Sequence, residues 1–123
     1  MNSYNKYTDL QINELVATRL KKKCLLTEES VLAYMDSGYR TFDPCNNPTD
    51  AMPIIIENKI SLLAGDGNFW CARYGEWNIL PCPSGIEFIE KAQVINDSPY
   101  RAAMELFLMM KDAENEKIRP YLL

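Results

Sequence analysis

The side chains best suited to hold a ligand are amides, a carboxylate, guanidinium groups and indoles. They occur in a turn-rich segment and in a later aromatic segment, with one arginine upstream. The predicted ligand-binding residues are Arg40, Asn46, Asn47, Asp50, Trp70, Arg73 and Trp77. An indole can stack on a nucleobase, which contributes ~1–3 kcal/mol per base, and an arginine can bind a phosphate through two hydrogen bonds. The set therefore predicts a small nucleotide-type ligand.

The turn-rich segment at residues 43–50 reads DPCNNPTD and precedes a predicted helix. Amide side chains and free N–H groups at the start of a helix can together bind an anion or the edge of a base. The same residue types also cap turns and helices, which is their more common role. From the sequence, both interpretations of Asn46, Asn47 and Asp50 stay open.

Histidine is absent from the 123 residues. Because histidine is the usual acid–base group near neutral pH, its absence excludes Ser-His-Asp, Cys-His and histidine-based zinc sites. We therefore predict a binding protein and not an enzyme, with no catalytic residues. The carboxylates that a metal-dependent hydrolase would need are Asp43, Asp50, Glu57 and Asp66. Turns and helix ends account for all four, so a hydrolase is the least favoured function.

The charge balance is acidic, with 13 Lys and Arg against 17 Asp and Glu and a net charge of −4. A nucleic-acid groove needs a basic face, so we predict no nucleic-acid polymer as a partner. Cys24, Cys45, Cys71 and Cys82 form no C-x-x-C pair, and we expect reduced, mostly buried thiols, no metal site and no cofactor. The polar first residues and short apolar runs predict a cytoplasmic protein that inserts into no membrane.

Two helices have clear start signals. Thr8 and Gln11 match a capping box, and apolar residues follow at helical spacing. Ser98 and Pro99 are a typical N-cap and first helical residue, and they begin a long apolar helix. The alanines and methionines of this last helix predict core packing, and the tail at residues 115–123 is expected to fray.

A second, shorter helix is predicted after the turn-rich segment. Thr49 or Asp50 is expected to cap it, and Pro53 to fall in its first turn, where a missing N–H is tolerated. Asn58 is expected to end it. The resulting helix would place the cap residues beside the predicted anion site.

The remaining segments predict short strands. Residues 24–38 fit neither helical nor strand spacing, and a short helix from Thr27 is one interpretation. The Asp-Gly turn at residues 65–68 indicates a hairpin, and Gly75 indicates a further turn. The predicted strands are residues 39–42, 59–64, 69–74 and 77–80.

Strand alternation places Trp70 and Arg73 on opposite faces of their strand. Residues 86–89 could form strand or helix. We predict an α+β fold in a single domain, 1–123, with its core at residues 8–114. A small antiparallel sheet of three to five strands has the N-terminal helix and the long C-terminal helix packed on one face.

Several short blocks, spread over about half the chain, resemble one family in type and in order. They read DLQIN at 9–13, CNNPTDA at 45–51, PII at 53–55, ENKISL at 57–62, PYRAAM at 99–104 and FLMM at 107–110. This ordered set is similar to the NinX-like family of small phage proteins. The sequence departs from the family pattern at Met52, where many members have a tryptophan, and at residues 75–96, which have no matched counterpart. The resemblance implies a phage protein in a bacterial host cell and carries no catalytic residues.

The phage resemblance predicts an accessory protein that counters host defence by sequestering a nucleotide-type signal. Sequestration needs tight binding without turnover, which a homo-oligomer interface could supply by burying the ligand. The alternative is a protein–protein inhibitor or adaptor that acts on a host protein. An exposed apolar patch would favour that alternative.

Overall fold

The computed structural model describes residues 2–81 and 85–118, which form three helices and six strands. In chain order the elements are α1 (Asp9–Arg19), β1 (Cys24–Leu26), β2 (Val31–Met35), β3 (Gly38–Thr41), α2 (Pro48–Glu57), β4 (Ser61–Ala64), β5 (Trp70–Leu80), β6 (Gly85–Asn96) and α3 (Pro99–Ile118). The predicted α+β class is confirmed. Cys82 and the last five residues of the predicted tail lie outside the described residues.

The strands form two antiparallel sheets, in the orders β1-β2-β3 and β4-β5-β6. The C-terminal helix α3 packs on β5 and β6, while α1 packs on α3 and β2. The N-terminal and C-terminal helices therefore contact sheet strands, as predicted. The expectation that residues 39–42 join the later strands in one sheet is wrong, because β3 pairs with its neighbour β2 across a short turn.

Helix α1 begins as its capping box predicts. The Thr8 side chain accepts a hydrogen bond from the Gln11 N–H, and the Gln11 side chain accepts one from the Thr8 N–H. Both bonds satisfy amides that the first helical turn leaves free. The buried face of α1 consists of Ile12, Asn13, Val16 and Ala17.

Helix α3 forms the centre of the hydrophobic core. Its start follows the prediction, since the Ser98 hydroxyl accepts the Arg101 N–H at 3.3 Å and Pro99 is the first helical residue. Ala102, Ala103 and Phe107 are fully buried, and the two small alanines let neighbouring elements approach closely. The predicted core role of this apolar face is confirmed.

Residues 24–35 form a hairpin and not a helix. The Thr27 N–H donates to the Ser30 carbonyl oxygen at 2.9 Å, and the Ser30 N–H donates to the Thr27 hydroxyl at 3.0 Å. Val31 and Ala33, two residues apart, are both buried, which is the alternation of a strand. The short helix expected from Thr27 is therefore wrong.

Helix α2 begins earlier than predicted. Asn47 is its N-cap, with its side-chain oxygen accepting the Thr49 N–H at 2.9 Å, and Pro48 is the first helical residue. Thr49 and Asp50 therefore lie within the first turn and do not cap the helix. Pro53 lies beyond the first turn, contrary to prediction. Asn58 ends the helix as predicted.

Strand β5 runs without a break where the sequence predicted two strands and a turn. Gly75 lies at a β-bulge that shifts the pairing of β5 with β6 between Tyr74 and Gly75. A Cβ atom at Gly75 would lie 2.0 Å from the carbonyl oxygen of Ile89. The glycine is therefore required by close backbone approach and not by a turn. Residues 86–89, left open between strand and helix, belong to strand β6.

Beyond the bulge, none of the other described strands pairs with the β5–β6 hairpin. Strand β4 pairs only with residues 70–73 of β5, whereas β5 pairs with β6 along its whole length. We call residues 75–80 and 85–90 the arm. Most side chains of the arm are exposed, in contrast to Ala72 and Val94 at its base, which are buried.

Candidate functional site

The predicted anion-binding loop at residues 43–50 is closed by its own hydrogen bonds. The Asn46 amide donates to Asp9 at 3.2 Å and to Asp43 at 3.1 Å. Asn47 caps α2, and the Asp50 carboxylate accepts the Asp43 N–H at 2.9 Å. Asn47 therefore caps the helix, and Asn46 and Asp50 stabilise the turn segment, the structural role that the sequence had left open beside ligand binding.

A buried asparagine connects this loop to α1. The Asn13 amide nitrogen donates to Asp43 Oδ1 at 2.7 Å, and its oxygen accepts the Cys45 N–H at 3.1 Å. Asn13 is 4% exposed, so both bonds replace lost contacts with water. Burial raises the pKa of the Cys45 thiol, which keeps it protonated and unreactive. Cys45 is buried as predicted for the cysteines, while Cys24 and Cys71 are half-buried.

Arg101 is the centre of a buried ionic network that the sequence analysis missed. Its Nε contacts Glu105 at 2.5 Å and its Nη1 contacts Asp9 at 2.7 Å. Its Nη2 donates to the carbonyl oxygens of Tyr4 at 3.1 Å and Tyr7 at 2.7 Å. The guanidinium therefore fixes the first residues of the chain to α1 and α3. The available signal was an Arg–Glu pair four residues apart on an otherwise apolar helix face.

A hollow of about 140 Å³ lies beside the loop and is lined by carboxylates. Asp9, Glu29 and Asp43 are among its lining residues, and none of the described lining residues is cationic. Such a hollow repels phosphate. Among residues 2–81 and 85–118, no group of three or more His, Cys, Asp or Glu side chains is placed to hold a metal ion.

Arg73 and Trp77 come together on one face of the β4–β5–β6 sheet. The Arg73 guanidinium lies 4.4 Å from the centroid of the Phe88 ring, and the Trp77 and Phe88 ring centroids are 4.3 Å apart. With Ser61 and Leu63 these three residues line a hollow of about 90 Å³, which we call the arm hollow. Phe88 was not predicted, because its pairing partner on β5 depends on the bulge.

The charge of Arg73 is balanced within the same face. Its Nε lies 2.9 Å from Glu90 Oε1, an ion contact that is not aligned as a hydrogen bond. Trp70 lies on the opposite face with buried Ala72 and is itself half-buried, as strand alternation predicted. Arg40 lies in β3 of the other sheet and forms an exposed ion pair with Asp36 at 3.4 Å.

The seven predicted residues therefore lie in separate places. Asn46 lines the acidic hollow, Asp50 lines a different one, and only Arg73 and Trp77 share a hollow. Each of these hollows is smaller than the ~300 Å³ at which small-molecule sites begin, at about 140, 270 and 90 Å³.

The two faces of the arm differ in polarity. We call the face with the arm hollow the outer face. Register and alternation place four apolar side chains on it, Trp77, Ile79, Ile86 and Phe88. Trp77 is 54% exposed, Ile86 65% and Ile79 84%. The opposite, inner face carries fewer large apolar side chains, the exposed Leu80 and Ile89. Its other residues are polar, with Asn78 donating to Glu87 at 3.1 Å and Lys91 paired with Glu76 at 3.0 Å.

We call the described residues outside the arm the body. The fold and its surfaces define a small α+β protein with a polar network in its body and a projecting two-stranded arm. The family model described as "Bacteriophage P22, NinX" matches residues 3–111. The chain belongs to this family of phage proteins, which confirms the resemblance, and the match includes residues 75–96. No curated protein matches the sequence significantly. None of the described helices is long and apolar enough to cross a membrane.

Proposed function

We propose that this phage protein acts by binding another protein, without catalysis, through the outer face of the arm. The observation that carries the proposal is the exposure of Trp77, Ile79 and Ile86, beside half-buried Phe88, on one face of a projecting ribbon. Contiguous apolar surface of this kind is typical of interaction sites. This is the adaptor or inhibitor function that the sequence analysis gave as its alternative.

The stability of the arm supports a docking role. A two-stranded hairpin alone is marginally stable in water, and none of the other described strands pairs with the arm, whose Trp77, Ile79 and Ile86 side chains are exposed. Its inner face combines polar residues with the exposed side chains of Leu80 and Ile89. Covering the outer face would remove several large apolar side chains from water at ~25 cal/mol per Å². Binding and ordering of the arm would therefore reinforce each other.

The chemistry of the outer face indicates what kind of partner it accepts. Arg73 and Glu90 neutralise each other, so the face carries no net charge from this pair. The arm hollow is about 90 Å³, which suits a single aliphatic side chain as an anchor. We expect a partner with a neutral, apolar surface and an affinity that changes little with salt.

The test is site-specific photo-crosslinking in bacterial cells that express the protein. A photoreactive amino acid replaces Ile79 on the arm or, as the matched control, Ile56 on α2, which is 68% exposed. We expect one discrete cross-linked protein from position 79, lost when Trp77→Ala is added, and none from position 56. Identical patterns from the two positions would refute docking through the arm.

A second candidate function is capture of a nucleotide-type host-defence signal, as the sequence analysis predicted. The specific observation in its favour is the cluster of Arg73, Phe88 and Trp77, which combines a cation with two rings able to stack on a base. Because the arm hollow is smaller than a nucleotide, such a ligand would need a second surface to cover it.

Nucleotide capture is tested by thermal shift and by heat release of bound ligand, using cyclic dinucleotides and ADP-ribose derivatives. Capture predicts recovery of the intact compound, with weaker binding in Arg73→Ala and Trp77→Ala and unchanged binding in Arg40→Ala. Absence of a shift with every compound, or recovery of an altered product, counts against it.

A further inference from the structure

The outer face of the arm combines a projecting side chain with a hollow. Resting on the proposed docking role of the arm, we infer that two copies of this chain associate through their outer faces, with Ile79 of each copy seated in the arm hollow of the other. The partner named by this inference is a second copy of the chain.

Ile79 is suited to fill the arm hollow. Among the described residues it is the most exposed large apolar side chain, at 84%. The arm hollow, of about 90 Å³, is lined by Leu63, Trp77 and Phe88 together with Ser61 and Arg73. A buried aliphatic anchor surrounded by aromatic rings is typical of an interface hot spot.

The spacing of Ile79 and the arm hollow allows a symmetric pair. Ile79 follows Trp77 by two residues on the same strand face, so the two side chains are roughly 7 Å apart. A two-fold axis that passes between them exchanges the Ile79 side chain and the arm hollow, and each contact is then made twice. The two ribbons would pack face to face at the ~10 Å spacing of stacked sheets.

The charges on the outer face permit this pairing. The chain carries a net charge of −4, which opposes association of two copies in general. On the outer face, however, the Arg73 charge is matched by Glu90 at 2.9 Å. The inner face carries the other charged groups of this region, Glu76, Glu87 and Lys91, and would point away from the second copy. Two outer faces therefore meet without unbalanced like charges.

The closing experiment is sedimentation velocity of the full chain over a range of concentrations. We expect the wild type to shift from monomer to dimer with a midpoint that changes little with salt. Ile79→Glu is expected to raise the dimer dissociation constant about 100-fold. It removes both symmetric contacts between Ile79 and the arm hollow, and each contact is expected to change the dissociation constant about tenfold. The matched control, Ile56→Glu on α2, adds the same charge to another exposed isoleucine, 68% against 84% for Ile79, and is expected to leave the dimer unchanged.

The outcomes separate this inference from the proposed function. A wild type that stays monomeric at every concentration, or a dimer that persists in Ile79→Glu, would overturn the inference. If the protein is monomeric and the position-79 crosslink joins it to a different protein, docking through the arm stands and only the second copy fails. If the protein is monomeric and position 79 gives no discrete crosslink, both fail.

Discussion

The body and the arm handle polar and apolar groups in opposite ways. In the body, charged groups are inside, and Arg101 and Glu105 are buried with bonds to each other and to neighbouring groups. In the arm, apolar groups are outside, and Ile79 and Ile86 are exposed on a ribbon of two strands. Buried polar groups must be satisfied internally, whereas exposed apolar groups need an external surface. The buried polar groups of the body have their partners within the chain, whereas the apolar face of the arm is left in contact with water.

The transition between the two regions occurs within a single hairpin. At its base, Ala72 and Val94 are buried, β4 adds a third strand, and the two strands of the hairpin contact α3. Past Gly75, none of the other described strands pairs with these two strands, and most of their side chains are exposed. The difference teaches that exposure in the arm reflects missing neighbours and not a change in strand chemistry.

The largest effect is expected from breaking the buried network of the body. Arg101→Met leaves the buried Glu105 carboxylate without its guanidinium partner, and we expect a loss of about 3–5 kcal/mol in the free energy of unfolding, measured by urea denaturation. The double variant Arg101→Met/Glu105→Leu removes both charges and is expected to recover most of the loss. An equal loss in single and double variants would show that packing, and not the unpaired charge, sets the cost.

A smaller effect is expected at the junction of body and arm. Gly75→Ala places a Cβ atom against the Ile89 carbonyl oxygen, and we expect about 2 kcal/mol of destabilisation confined to the arm. The measurement is amide hydrogen exchange, with faster exchange at residues 76–80 and 86–90 and unchanged exchange in α3. Gly38→Ala, where added bulk meets no atom within 4 Å, is the matched control. Uniform loss of protection would mean that arm and body unfold together.

Local signals made parts of the fold predictable from the sequence. Thr8 with Gln11, and Ser98 with Pro99, predicted two helix starts because capping depends on neighbouring residues alone. The start of α2 was misplaced because Asn47 and the two residues proposed as caps all have capping side chains. Pro48 decides the position, since its fixed φ suits the first helical residue.

Features that depend on distant contacts were not predictable. Gly75 indicated a turn, but its role comes from the approach of Ile89, which lies on another strand. Arg101 and Asp9 are 92 residues apart, so the sequence near either residue does not predict their ion pair. The prediction of Arg73 and Trp77 as neighbours depended on strand alternation, whereas Phe88 joins them only through the β6 register.

The body also predicts a pH dependence that the arm does not share. Burial, followed by the hydrogen bond to Asp112, raises the pKa of Tyr4 from 10.0 to about 12. The unfolded chain therefore loses this proton at lower pH than the folded one. The stabilisation that this proton gives the folded state is intact below pH 10 and decreases as the pH rises to 12. At pH 11 the free energy of unfolding has fallen by about 1.4 kcal/mol. Tyr4→Phe should abolish this loss in urea unfolding at pH 9 and 11, and an equal pH effect in both proteins would contradict it.

The smallest effect on the isolated chain is expected at the tip of the arm. Ile79→Ser should change the free energy of unfolding by less than ~0.5 kcal/mol in dilute protein, because the side chain is exposed there. Ile12→Ala, at a fully buried isoleucine of α1, should cost about 2–5 kcal/mol under the same conditions. The dependence of Tm on protein concentration then distinguishes an unoccupied surface from an interface between two copies. If a second copy covers the outer face, the wild-type Tm rises with protein concentration and that of Ile79→Ser does not. A Tm independent of concentration in both proteins would leave the arm an exposed ribbon without a partner of its own kind.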